Sequence, residues 1–295
     1  MTNKSALKNQ FCELTGTSTT TAGRYLDASK YNLEQAVDAY FEKHSSKSTN
    51  PKSNGKSATS TTSNTNKNLI AIFEKYKDAN NPDVIDIDGT LKYLEDLKID
   101  PEDPKSLTLA FLLKAPSVGV FEKNKFLTTW QHYNIHDIAK MSSFLNKFHD
   151  DVLHNKGIYN DIETDEVVDF KHLYDFAFGF LKESENQKVL DIDLAISYWK
   201  LLLPLITSVY LAKNESTTET DTANQVEERV QNWYDFLTTS NPRPVITFDT
   251  WSMFYLFFLE VILPDPRKLS NYDEMAAWPS KMDEYVEYLS DNSLI

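Results

Sequence analysis

Apolar residues recur three and four positions apart over most of this chain. In "NLIAIFEKYKD" the pattern puts Leu69, Ile72, Phe73 and Tyr76 on one stripe, the mark of an amphipathic helix. "GTLKYLEDLKI", "SLTLAFLLKA", "FEKNKFLTTWQHY", "IAKMSSFLNKFHDDVL" and "FKHLYDFAFGFLKE" repeat the period. So do "LDIDLAISYWKLLLPLI", "VEERVQNWYDFLTT" and two last helices. Only "VIDIDG" and "GVFEKNKF" hint at strand. The predicted class is all-α. In the last helix, Met282, Tyr285, Val286 and Leu289 share the apolar face, with Pro279 at its first position. Asp283, Glu284 and Glu287 then lie off that face, towards solvent.

The first 44 residues show three shorter helical patterns. "NQFCELTG" brings Phe11, Cys12 and Leu14 to one side and ends on Gly16, a C-cap signal. "TTAGRYLDAS" follows with Tyr25 and Leu26. "NLEQAVDAYFEK" opens at Asn32 as N-cap and aligns Leu33, Ala36, Val37, Tyr40 and Phe41. Residues 45–67 read "SSKSTNPKSNGKSATSTTSNTNK", without an acid or a large apolar side chain. A segment that buries so little is expected to be a flexible linker. It divides a small unit, 1–44, from a large one, 68–295. Within the large unit "LAKNESTTETDTANQ", residues 211–225, is polar and expected to be a disordered insertion.

Charge sharpens this division. Residues 1–67 hold nine Lys/Arg against five Asp/Glu, which leaves 21 basic and 39 acidic residues for the remainder, a net of −18. Such a body repels nucleic-acid phosphates and attracts basic protein surfaces, so no nucleic acid is expected as a partner. The most apolar run, "WSMFYLFFLEVIL", carries Glu260 and is too short to span a bilayer, and the N-terminus lacks an apolar signal core. No membrane partner is expected. With Cys12 as the one cysteine, a disulfide framework and a cysteine-based zinc site fall away, which suits the cytoplasm and nucleus.

Candidate chemistry is sparse. Seven glycines form neither GxGxxG nor GxxxxGK[ST]. "KYKDANNPDVIDIDGTLKYLEDL" has a helix–loop–helix look, but no frame satisfies a calcium loop. From Asp78, Pro82 falls on position 5 and Gly89 on position 12; from Asp83, Ile85 falls on position 3. His132 and His136 lack the glutamate of HExxH. Neither a metal nor a cofactor is expected. Carboxylates turned to water, as in the last helix, make poor general acids. Asp249, in "ITFDTW", reads as an N-cap.

The closing "Asn-Leu-x-x-Ala-Val-x-x-Tyr-Phe" of the small unit resembles a ubiquitin-associated (UBA) domain, although its first loop reads "TGTS" rather than Met-Gly-Phe/Tyr. The ordered set "VIDIDGTLKYLEDLKIDP", "YDFAFGFLK", "LDIDLAISYWKLLLP", "FDTWSMFYLFFLE" and "LSNYDEMAAWPSKMDEYVEY" resembles the defective-in-cullin-neddylation family, in its fungal form. That resemblance implies a UBA-like domain followed by an all-α potentiating-neddylation (PONY) domain with EF-hand-like pieces. It implies a scaffold-type E3 (co-E3) that holds the cullin C-terminal winged-helix domain and the neddylation E2 together, as a monomer with no catalytic residue of its own. The family's cullin surface maps to Asp249, Ala277 and Asp283. Its pocket for the acetylated N-terminal methionine of the E2 maps to Ile87, Leu107, Leu109, Phe121, Phe180, Tyr198 and Leu201. Thr90 and Ser106 stand where apolar residues are usual. Ubiquitin is a further candidate partner through the UBA-like domain. The alternative is an EF-hand-like, UBA-containing ubiquitin-binding adaptor without ligase-promoting activity.

Overall fold

The structure is a computed structural model and describes residues 4–15, 19–44, 59–184, 186–214, 219–239 and 245–295. The chain divides into two compact units, Met1–Ser57 and Ala58–Ile295. The first contains α1 (Lys4–Thr15), α2 (Thr19–Ala28) and α3 (Leu33–His44). Among the described residues, Phe11, Ala22, Leu26 and Ala36 are fully buried in it. Around Phe11 the rings of Tyr25 and Tyr40 close a triad with centroids 5.4–6.0 Å apart, a geometry that adds to area burial. Asn32 caps α3 by accepting from Gln35 N at 3.2 Å, as its position in the sequence predicts. Cys12 is only half-buried at the margin of this core. Gly16 and the "GTS" part of the first loop lie outside the described residues.

The second unit is built from two helix–strand–helix pairs. In the first pair, α4 (Thr59–Tyr76), β1 (Val84–Ile85) and α5 (Ile87–Leu97) face α6 (Pro104–Leu112), β2 (Phe121–Glu122) and α7 (Lys123–His132). The two short strands pair antiparallel, Val84 with Glu122 and Ile85 with Phe121. After α8 (Ile138–Leu153) the second pair repeats the arrangement. Here α9 (Phe170–Phe180), β3 (Val189–Asp191) and α10 (Ile192–Lys213) meet α11 (Glu219–Thr239), β4 (Val245–Thr247) and α12 (Phe248–Phe257). Leu190 of β3 pairs with Ile246 of β4. A π-helical stretch, Phe258–Ile262, prolongs α12, and α13 (Ser280–Asp291) closes the unit. The two strand hints of the sequence are β1 and β2, while β3 and β4 carry no such signal.

Much of the acidity is spent locally. Asp86, Asp103, Asp137, Asp169 and Asp191 each cap a helix, with side-chain oxygens 2.8–2.9 Å from backbone N–H groups of the first turn. A carboxylate there satisfies an orphan donor and meets the positive end of the helix dipole. Asp78, in the loop with the calcium-like look, likewise accepts from the backbone of Asn80 and Asn81.

Two expectations from polar composition differ from the structure. Residues 45–58 of the expected linker lie outside the described residues, but Thr59–Lys67 form the first half of α4. Of the expected insertion 211–225, Leu211–Lys213 end α10 and Glu219–Gln225 begin α11. In both places the polar stretch runs on into an amphipathic helix, and propagation costs far less than nucleation. By length and composition α10 could cross a membrane. Its Ile192, Ala195, Ile196, Trp199, Leu202, Leu203 and Ile206 form a single stripe buried in the core, however, and buried core helices meet the same test.

The core of the second pair is aromatic. Trp199 stacks on Trp251 at 5.2 Å, Tyr174 on Trp251 at 4.7 Å, and Trp233 on Phe254 at 4.4 Å. Tyr174 and Trp251 also exchange hydrogen bonds: Tyr174 OH donates to Trp251 O at 3.0 Å, and Trp251 Nε1 donates to Tyr174 O at 2.9 Å. This reciprocal lock fixes α9 against α12.

Candidate functional site

At the C-terminal end of α12, Phe257 is fully buried and collects three rings. Trp278 meets it edge-on at 5.3 Å, Tyr272 at 6.3 Å and Tyr285 at 6.4 Å. Asn271 donates to Glu260 O at 3.0 Å, tying the loop before α13 to the π-helical stretch. Within the loop, Met275 N donates to Asp273 Oδ1 at 2.9 Å and Trp278 N to Ala276 O at 2.9 Å. The result is a braced corner from which Ala277 points outward, exposed and without bulk.

Asp283 belongs to the same corner. Tyr272 OH donates to Asp283 Oδ1 at 2.8 Å. Burial, then this hydrogen bond, push the Tyr272 phenol well above its ordinary pKa. Asp283 is half-buried, so it is less turned to water than helical periodicity predicts, while Glu284 and Glu287 are exposed. Asp249 stands exposed in the first turn of α12, about 12 Å along the helix axis from Phe257 at 1.5 Å per residue. The structure thus joins Ala277 and Asp283 at one corner and puts Asp249 near the other end of the same helix. Asp249 is not a cap. Thr247 has that role, accepting from Thr250 N at 3.1 Å, because β4 ends at Thr247 and the helix starts one residue earlier than its acid. Pro279 is the N-cap of α13 rather than its first residue.

The seven residues mapped to an E2 pocket are distributed unevenly. Leu107, Leu109, Phe121 and Phe180 are core residues, no more than 7% exposed. Tyr198 and Leu201 are half-buried on α10, and Ile87 is 51% exposed at the start of α5. Ile87 rests on Gly119: a Cβ on Gly119 would lie 2.4 Å from Ile87 Cδ1, and φ is +73° there. Thr90 is buried and donates to Gly119 O at 3.0 Å, so its hydroxyl closes this turn. Ser106 is spent on Pro101 O at 2.9 Å. Two indentations stand elsewhere. One, of about 20 Å³, is lined by Phe111, Tyr133, Phe148 and Asp161 among others. The other lies between the end of α9 and the start of α12, with Phe178, Gly179 and Phe248 in its wall. Phe248 is 49% exposed, and sequence reasoning missed it because a single aromatic beside a cap carries no period.

Comparison with known proteins gives these positions a context. Residues 140–288 match the cullin-binding family, and residues 6–47 match the UBA-like domain family. Over the whole of both chains, the sequence is 48% identical to the "Defective in cullin neddylation protein 1" of Candida albicans. It is 33% identical to the protein of the same name from Yarrowia lipolytica, over 75% of this chain and 77% of that one. Over 74% of this chain and 60% of the relative, it is 31% identical to "DCN1-like protein 3" of Xenopus laevis. Asp249, Ala277 and Asp283 all fall inside the cullin-binding match, as do Phe180, Tyr198 and Leu201; Ile87, Leu107, Leu109 and Phe121 precede it.

Proposed function

The chain belongs to the defective-in-cullin-neddylation family, and from that membership we propose that it works as a scaffold-type E3 (co-E3). A role in cullin neddylation, with a cullin as partner, follows from the family and its cullin-binding segment. The finer reading is that the chain holds the cullin's C-terminal winged-helix domain and the neddylation E2 at once, so that the E2 thioester faces the acceptor lysine. Holding two reactants in register raises their effective concentration and asks for no nucleophile on the scaffold.

The observation that carries this reading is the braced corner. Ala277 allows close approach, and Asp283 is already oriented by Tyr272. A carboxylate held before binding loses less freedom when it pairs with Lys or Arg of a partner. Asp249 adds a further, exposed carboxylate in the first turn of α12. The E2 half of the reading rests on family membership and on the mapped apolar positions, of which Ile87, at the start of α5, is the most exposed. The UBA-like unit is assigned ubiquitin as its candidate ligand, and the molecule is assigned to the cytoplasm and nucleus as a monomer.

Calorimetric titration of the cullin C-terminal domain into Asp249→Ala and Asp283→Lys variants tests the surface. Each is expected to lose about 2 kcal/mol of binding, the scale of a partly buried charge pair. Wild-type affinity in both variants would remove it.

A further inference from the structure

Asp249 is the single acid of α12, and one residue earlier Phe248 borders a cleft of different character. The indentation between α9 and α12 is lined by Asp175, Phe178, Gly179, Lys182, Gln187, Lys188 and Phe248. Its floor is apolar. Phe178 and Phe248 meet edge-to-face at 5.4 Å, and Phe248 leaves half its ring uncovered. Gly179 contributes open space, since a Cβ there would meet nothing within 4 Å. Gln187 is turned inward on its own loop, donating to Val189 O and accepting from Glu183 N, both at 2.8 Å.

The charge is what sets this place apart. Asp175, the one acid in the lining, is already paired with Lys171 and accepts from Ser252 at 3.3 Å. Lys182 and Lys188 form no ion pair with any described residue. In a body carrying a net −18, this is a local basic rim around an exposed aromatic. Glu183, in the same loop, is exposed and outside the lining.

We propose that this cleft receives an apolar side chain next to a carboxylate, presented by the same cullin that docks on Asp249, Ala277 and Asp283. The proposal rests on the cullin-binding reading and deepens it. Its occupant follows from complementarity: an apolar anchor for the Phe178–Phe248 floor, and an acid for Lys182 and Lys188. Its source follows from proximity, because Phe248 and Asp249 are consecutive in the first turn of α12 and both are exposed. A carboxylate at Asp249 beside lysines at the cleft, Lys182 and Lys188, fixes register. A cullin shifted along α12 would bring its basic residues over the lysines and its acid over Asp249, and like charges in contact are costly.

The test uses the full chain and the cullin C-terminal domain, titrated by calorimetry. Gly179→Leu places a side chain where a Cβ has open space and is expected to weaken cullin binding about tenfold, with the thermal midpoint not lowered and E2 affinity unchanged. The double variant Lys182→Glu/Lys188→Glu is expected to weaken it by a similar factor. Wild-type cullin affinity in Gly179→Leu overturns the proposal. Tighter binding by the double glutamate variant overturns the acidic occupant. If Asp249→Ala/Asp283→Lys binds cullin normally while Gly179→Leu does not, the acidic corner falls and the cleft stands as the contact.

Discussion

Asp151 is a buried carboxylate that faces three donors. Lys147 pairs with it one turn back, Lys156 reaches its Oδ1 at 3.0 Å, and Tyr159 OH donates to its Oδ2 at 3.2 Å. The Lys147 hydrogen bond outweighs burial, and with help from Lys156 and Tyr159 it holds the carboxyl below the usual range. A depressed folded pKa contributes stability that is complete above the unfolded value, near 3.9, and is lost as pH falls through the folded one. The stability gap between wild type and Asp151→Asn, taken from urea midpoints, should therefore be widest near neutrality and close below about pH 4. A gap that stays constant from pH 6 to pH 2 would show that the charge is not its source. Nothing in the spacing of Asp150 and Asp151 distinguishes them. Asp151 is buried because Tyr159, from the following loop, folds back over it. The case of Asp283 is parallel: helical period turns it outward, and Tyr272 from the preceding loop half-covers it.

Two helical glycines show how differently one residue type is used by elements. Gly89 lies where α5 crosses the end of α4, and a Cβ there would sit 1.9 Å from Tyr76 O and 2.8 Å from Ile85 Cγ2. The clash is with backbone, so one of the two helices must move. Gly89→Ala should cost about 3 kcal/mol or more, roughly 6–12 °C in thermal midpoint for a unit of this size. Gly179 in α9 has free space, so Gly179→Ala should instead raise the midpoint slightly, by up to about 1 kcal/mol of helix propensity. Calorimetric scans of the two variants check both signs, and equal destabilisation would refute the distinction. Either glycine could be read as helical from its surroundings. Which one is pressed against a neighbour depends on the crossing of α4 and α5, which no local pattern encodes.

For the whole molecule, charge and division into units make the remaining prediction. The unit 58–295 has its own continuous core and should unfold cooperatively without residues 1–57. It should also retain cullin affinity, which should weaken as ionic strength rises from about 50 to 500 mM, since exposed charges are screened beyond about 10 Å at 0.1 M. Titration of the truncated and full chains at both salts checks this; a tenfold loss on truncation would move part of the cullin surface to the small unit. Periodicity made the helices legible, from Leu69–Tyr76 to Met282–Leu289, because which side of a helix is apolar is a property of neighbouring residues. The acidic balance was legible for the same reason, as was the "SNYDE…AWP" segment that carries the family. Neighbours from distant segments decided the rest. The pairing of β3 with β4 made Thr247 the cap and left Asp249 exposed. The cleft at Gly179 and Phe248 exists only because the Tyr174–Trp251 lock holds α9 to α12. Burial and electrostatic environment are properties of a place in space, and residues remote along the chain supply its walls.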